Sequence, residues 1–250
     1  LETLEKHGEL RRISAEVDWR EEIGAVARIN LSLDGPGLLF ENIRDHKHTR
    51  CTKFLTGTLG NRRQVCLLLG LPTDTPDKTI IQHLRACYRR GIPPVEVATG
   101  PVKTHKLSGA DLDLGEFPVP LWHHLDGGRF IDTFCGVVTR NPKNGQMNVG
   151  IYRGQVIAPD KIGKLLIPTQ HWGSHFAEHR ETSSPMPVAV VHGWHDVLPF
   201  CAGSPFPKGI CEYDMMGAIL GRPVELVRCE TSDLLIPASA EIVIEGTIDP

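Results

Sequence analysis

Apolar positions along the chain alternate between helical and strand-like spacing. Leu1, Leu4 and Leu10 predict a helix over residues 1–10, with Gly8 near its end. A second helix is predicted over Glu21–Leu33, with Ile23, Val26, Ala27 and Ile29 on roughly one face. Asn61 is placed to cap a third helix running to Leu69, which Gly70 ends. Thr75-Pro76-Asp77 opens a fourth, with Ile80, Ile81, Leu84 and Cys87 facing inward and Arg89-Arg90-Gly91 closing it. Strand patterns fall at Glu16–Trp19 and at Leu38–Phe40, the latter after the turn Gly35-Pro36-Gly37. Beyond the punctuation at Gly91–Pro101, strand signals dominate. Ile131–Arg140 and Gln146–Ile157 are joined by Asn141-Pro142-Lys143-Asn144-Gly145 as a hairpin. Pro187–His192, Val224–Cys229 and Glu241–Thr247 are further strands, and Cys211–Leu220 is a helix. The expected architecture is α+β. Residues 1–100 form a small α/β domain, and residues 101–250 form an antiparallel sheet or barrel that carries a site.

Composition narrows the function classes. The chain has 250 residues, 40% of them hydrophobic, enough for one large or two smaller cores. Its 27 basic and 30 acidic residues leave a net charge of −3 with no basic stripe, so no nucleic-acid partner is expected. The apolar runs, such as Val65–Leu71, are too short for a membrane-spanning helix. The opening Leu-Glu-Thr-Leu-Glu-Lys is not a signal peptide, and without an initiator Met the chain is expected to begin inside a longer one. Seven widely spaced cysteines with no C-x-x-C pair fit neither a disulfide framework nor a structural zinc site. Free thiols in a cytoplasmic protein are the expectation.

Three segments concentrate polar chemistry. In Asn148-Val-Gly-Ile-Tyr-Arg-Gly-Gln155, strand alternation points Asn148, Gly150, Tyr152 and Gly154 one way and Val149, Ile151, Arg153 and Gln155 the other. By spacing alone this reads first as an ordinary solvent-facing strand. Asn is, however, a neutral oxygen ligand for a hard cation, and Arg a planar fork for carboxylate or phosphate. The second segment, Pro168–His179, carries His171, His175 and His179 at i, i+4 and i+8. It lacks the Glu that a zinc protease needs directly after its first His. His175 and His179 read as a histidine-bearing helix surface, whereas His171 sits where a helix would start. The third, Ala202–Glu212, is rich in small residues that allow close backbone approach to a ligand, without the order of a P-loop. Glu212 near a helix start also suits the helix dipole alone. Trp122, Trp172 and Trp194 read as packing or pocket walls, and Gly127-Gly128-Arg129 as a loop.

Taken together, these segments resemble the UbiD-type decarboxylases, which use a prenylated flavin mononucleotide (prenylated FMN). The resemblance runs along the whole chain. Leu4–Ile13, Val17-Asp18 and Gly37–Asn42 look like the family's N-terminal domain. Phe117–Pro120, Asp126–Arg129 and Asn148–Arg153 look like its flavin-binding segment, continued by Pro168–His171, Pro205–Gly209 with Glu212, and Ser232–Glu245. The implied fold is the small N-terminal domain followed by a split β-barrel, incomplete at the C-terminus and without the family's C-terminal domain.

The resemblance also implies a site. Asn148, His171 and Glu212 would bind Mn²⁺ or Mg²⁺ anchoring the flavin phosphate. Val149, Ala202 and Ser204 would offer backbone carbonyls to K⁺, in a loop where the family often has more serines. Ile151, Tyr152, Arg153 and Gln170 would line the cofactor, with Arg153 the catalytic residue, near the flavin and the substrate carboxylate. The implied activity is a reversible carboxy-lyase reaction on an aromatic or unsaturated acid, and Tyr152 beside Arg153 points toward hydroxylated benzoic acids. A flavin prenyltransferase would supply the cofactor, and the full-length form would be a homo-oligomer. The family's acidic residue would follow Glu245-Gly246-Thr247 beyond Pro250, so the chain is expected to be part of a longer enzyme and inactive alone. The competing readings are an FMN-binding split-barrel flavin reductase, a non-catalytic fragment, and a zinc hydrolase on His175 and His179.

Overall fold

The computed structural model describes residues 1–207 and 209–250. In chain order the first elements are α1 (Glu2–Lys6), β1 (Leu10–Ile13), α2 (Glu22–Ser32), β2 (Gly37–Phe40), β3 (Phe54–Thr56), α3 (Arg62–Leu68) and α4 (Asp77–Arg90). After them come β4 (Val95–Glu96), β5 (Gly136–Arg140), β6 (Met147–Gly150), β7 (Gly154–Ala158), β8 (Lys161–Lys164) and α5 (His171–Glu181). The chain ends with β9 (Met186–His192), α6 (Val197–Ala202), α7 (Glu212–Leu220), β10 (Glu225–Arg228), β11 (Leu235–Pro237) and β12 (Ile242–Ile248). The fold is mixed α+β, as expected, and its sheets are small and open among the described residues.

Two compact units divide the chain. The first gathers Leu1–Ile80, Leu107–Ile131 and Arg153–Lys164. Its three-stranded sheet pairs β1 with β2 in parallel and β2 with β3 antiparallel. All four residues of β2 are buried, and Leu38 and Phe40 pack with Val17, Ile23 and Ile43. Asn61 accepts from the Gln64 backbone N–H while Gln64 accepts from the Asn61 N–H, a capping box that starts α3. The antiparallel pair β7–β8 also belongs to this unit.

The second unit gathers Ile81–Lys106, Asp132–Tyr152 and Leu165–Pro250. Its main sheet is antiparallel in the order β12–β9–β5–β6. The Asn141–Gly145 turn joins β5 and β6 with Arg140 opposite Met147, the expected hairpin. Alternate residues Met186, Val188 and Val190 of β9 pack with Cys135, Val137 and Trp172. A second sheet, β11–β10–β4, pairs β10 with β4 in parallel.

Several local expectations need correction. The first helix stops at Lys6, because Gly8 takes φ +71° and Leu10 already belongs to β1. Glu16–Trp19 makes only the single bridge Val17–Ile43. Ile29 is 61% exposed and Ile81 51% exposed, so neither lies on its helix's buried face. The run Gln146–Ile157 is not one strand. β6 ends at Gly150, and β7 pairs elsewhere, with β8. The strict two-face alternation through Gln155 therefore does not hold. No disulfide joins any of the seven cysteines. Among the described residues, no helix is long and apolar enough to cross a membrane.

Candidate functional site

Three elements of the second unit converge on one end of β6. That strand carries Asn148 and Val149, both buried. His171 is the first residue of α5 and Glu212 the first residue of α7. Both helices pack on β6. His171 Nδ1 lies 3.2 Å from Asn148 Oδ1. Glu212 Oε2 accepts from the Val149 backbone N–H at 2.8 Å. Residues 23 and 64 positions downstream of Asn148 are thus brought onto the same stretch of strand.

The Glu212 carboxylate is 4% exposed. Burial pushes its carboxyl up, while the Val149 N–H and its own backbone N–H act in the opposite direction. Asp214, a second carboxylate, pushes it the same way as burial, and none of these influences comes from a basic side chain. A buried carboxylate without a counter-charge is costly. Beside a histidine nitrogen and an amide oxygen, that deficit suits a divalent cation. The donor set of one imidazole and two oxygens is borderline to hard, the chemistry of Mn²⁺ or Mg²⁺ rather than of a thiolate-bound ion.

Tyr152 folds back over this group. Asn148 Nδ2 donates to its hydroxyl at 3.3 Å. The Tyr152 ring stacks on Trp172, with centroids 4.3 Å apart and planes within 8°. Gly150 makes room for it: a Cβ there would sit 2.5 Å from the tyrosine ring. Gln170 is the residue before α5 and makes no side-chain cap there; its Oε1 accepts from Trp172 Nε1 at 3.2 Å. Half-buried Ile151 approaches Gly203, the residue after α6, so the Ala202–Ser204 turn lies beside β6's exit. Ser204 Oγ donates to the Phe200 carbonyl at 2.8 Å, and the Ser204 carbonyl accepts from the Phe206 N–H at 2.9 Å. Lys208 of the Pro205–Gly209 segment lies outside the described residues.

The structure therefore brings together Asn148, Val149, Ile151, Tyr152, Gln170, His171, Ala202, Ser204 and Glu212 within one unit. Arg153 is exposed and begins a segment of the first unit. His175 is buried rather than on a helix surface, with Nδ1 3.0 Å from Thr139 Oγ1, and His179 Nδ1 lies 3.0 Å from Ser184 Oγ. Among the described residues, no group of three or more His, Cys, Asp or Glu side chains is placed to hold a metal. The neighbouring thiol of Cys211 is pushed up to about 11 by burial, so it is a poor nucleophile at neutral pH. The sequence reading did not foresee Gly150 as the residue that admits Tyr152, nor Trp172 as its stacking partner. A glycine two residues before a tyrosine is the only local signal for either.

Comparison with known proteins places the chain in a family. The domain described as "3-octaprenyl-4-hydroxybenzoate carboxy-lyase Rift-related domain" matches residues 94–250, and the corresponding N-terminal domain matches residues 1–84. A pyrrole-2-carboxylic acid decarboxylase of Pseudomonas aeruginosa is 35% identical over 98% of this chain and 51% of its own length. A dimeric form of the UbiD-class enzyme HmfF from Pelotomaculum thermopropionicum, in complex with prenylated FMN, superposes with a TM-score of 0.88 at 32% identity. That match covers 99% of this chain and 55% of HmfF. Vanillic acid decarboxylase of Sedimentibacter hydroxybenzoicus superposes with a TM-score of 0.93 at 29% identity, over 100% of this chain and 54% of its own. The chain thus spans about half the length of the relatives it matches. It belongs to the UbiD carboxy-lyase family.

Proposed function

We propose that this chain is the metal- and flavin-binding part of a decarboxylase acting on an aromatic or unsaturated carboxylic acid. The observation that carries this reading is the buried Glu212 carboxylate on the same strand end as Asn148 and His171. Asn148, His171 and Glu212 would hold Mn²⁺ or Mg²⁺ through an amide oxygen, an imidazole nitrogen and a carboxylate. The backbone carbonyls of Val149, Ala202 and Ser204 would serve K⁺. Relatives named as decarboxylases of pyrrole-2-carboxylic, phenolic and ferulic acids, and HmfF in complex with prenylated FMN, support the substrate class and the cofactor. The division into residues 1–100 and 101–250, and a split-barrel form of the second, belong to the same reading.

Loss of CO₂ from an sp² carbon leaves an unstable carbanion, and a bound prenylated flavin supplies the electron sink for it. The chain's own residues bind and orient. Tyr152, fixed between Asn148 and Trp172, presents a rigid aromatic edge beside the metal ligands. Gln170 steadies that wall through the Trp172 indole. Arg153 would meet the substrate carboxylate with its planar fork. Hydroxylated benzoic acids are the proposed substrates, because the Tyr152 hydroxyl beside Arg153 would be a hydrogen-bond partner for a phenolic group.

Manganese titration of the chain with FMN, followed by electron paramagnetic resonance, tests the site. One Mn²⁺ per chain is expected, with affinity lowered at least ~10-fold in His171→Ala and in Glu212→Gln. Equal binding by all three proteins would refute the ligand assignment.

A further inference from the structure

A second polar cluster lies in the first unit, away from the metal ligands in sequence. The Arg129 guanidinium is centred 4.2 Å over the Trp19 ring, and Arg20 lies 4.7 Å from the same ring. Arg129 Nε donates to the Val119 carbonyl at 2.7 Å and Nη2 to the Phe117 carbonyl at 2.9 Å. The same Nη2 lies 3.1 Å from Nε2 of His46, which is 3% exposed. Trp19 Nε1 donates to Asp45 Oδ2 at 3.1 Å, tying the ring to the residue beside His46.

A guanidinium can only donate, so His46 Nε2 must accept. The ring is therefore neutral with its proton on Nδ1, the nitrogen 3.4 Å from Thr49 Oγ1. Protonating Nε2 removes the acceptor and sets two cations side by side in a half-buried place.

Arg129 anchors more than itself. Its carbonyl accepts from the Val156 N–H at 2.9 Å, Phe130 bridges Gln155, and Gln155 Nε2 donates to the Gly127 carbonyl at 2.9 Å. The Gln155 side chain lies close over Gly128, where a Cβ would sit 2.4 Å from its Nε2. Residues 127–130 thus form a strap along β7, the strand that starts immediately after Arg153.

We propose that His46 is a positioning residue: through Arg129 it holds the 127–130 strap against β7, sets how Arg153 is presented, and releases the strap on acidification. The role given to Arg153 rests on the functional reading above, whereas the His46–Arg129 strap does not. Burial, then Arg129, lowers His46 from its ordinary value of 6.5, while the Glu116 backbone and Asp45 act in the opposite sense. Arg20 and Asp113 act on Arg129 in turn. With the folded value below the unfolded one, the neutral ring is favoured in the fold. The contact is intact above pH 6.5, begins to cost stability as pH falls below it, and is lost through the lowered folded value.

Hydrogen exchange of the whole chain at about pH 7.5 and about pH 5, corrected for intrinsic exchange, tests this across the titration range of histidine. In the wild type, peptides covering 127–130 and 154–158 lose protection at least ~10-fold on acidification, while β1–β2 does not. His46→Gln keeps an acceptor that cannot titrate, so it holds wild-type protection at both pH values. His46→Leu exchanges fast at both. Wild-type protection that ignores pH, or a parallel fall in His46→Gln, overturns the proposal. Should His46→Leu fail to fold, the wild-type and Gln proteins decide. The Mn²⁺ titration above fails separately if the functional reading is wrong, since exchange in the strap needs neither metal nor substrate.

Discussion

Gly150 and Tyr152 show how one missing side chain shapes the site. The tyrosine ring occupies the space that a Cβ at residue 150 would need, and it stacks there on Trp172. Gly150→Ala should therefore push Tyr152 off the indole and cost about 1–3 kcal/mol. Urea unfolding followed by Trp fluorescence would read both the lost stability and the altered indole environment. An alanine variant with unchanged midpoint and spectrum would mean that the stacking is not tight. By residue type alone the candidate ligands were weakly marked: Asn148 sat in a polar segment that reads first as a solvent-facing strand, Glu212 suited a helix dipole, and only His171 stood where a lone ligand would be placed. Their meeting was not legible from spacing, because it depends on two helix starts docking on one strand end. Only the resemblance to a family joined them. Side-chain direction failed at Tyr152 for a related reason: alternation applies while a strand lasts, and β6 ends at Gly150.

Element ends were legible where a local motif marks them, and misread where none does. The Asn61 cap, the turn before β2 and the β5–β6 hairpin all follow from local chemistry, and all are present. Burial faces were less legible. At about 100° per residue, Ile23 and Ile29 are about 120° apart, and Ile80 and Ile81 cannot share one line of contact. In each pair the first is buried and the second exposed. Which side of an apolar helix faces the core is settled by its neighbours, not by its own spacing. β12 carries a prediction at this scale. Its Glu245 accepts from the Glu230 N–H at 2.9 Å, the Thr231 N–H at 2.7 Å and the Thr231 hydroxyl at 2.6 Å. Burial pushes the Glu245 carboxyl up, but these hydrogen bonds outweigh it and hold the group below its ordinary 4.5. A lowered folded value means that the contribution is complete above the unfolded value and disappears as pH falls through the folded one. Glu245→Gln should cost ~1 kcal/mol at neutral pH, and the gap to wild type should close well below pH 4.5. Denaturation midpoints measured across that range would check it, and a gap independent of pH would contradict it.

At the scale of the molecule, each compact unit is stitched from three separate segments. The expected mixture of helices and strands was correct because periodicity reports element type. The interleaving of segments was not legible, since no residue marks which distant strand it will pair with; β7 leaving the β5–β6 hairpin to pair with β8 is the clearest instance. Membership of the UbiD family rests on residues 1–84 and 94–250, which together cover nearly all of the chain. The central claim is that this chain holds a flavin through a metal bound by Asn148, His171 and Glu212. Native mass spectrometry of the chain co-expressed with a flavin prenyltransferase tests it most directly. The account predicts the mass of a prenylated flavin together with one Mn²⁺ in the wild type, and loss of both in His171→Ala and Glu212→Ala. A chain that carries neither group, or carries both regardless of the two substitutions, would contradict it.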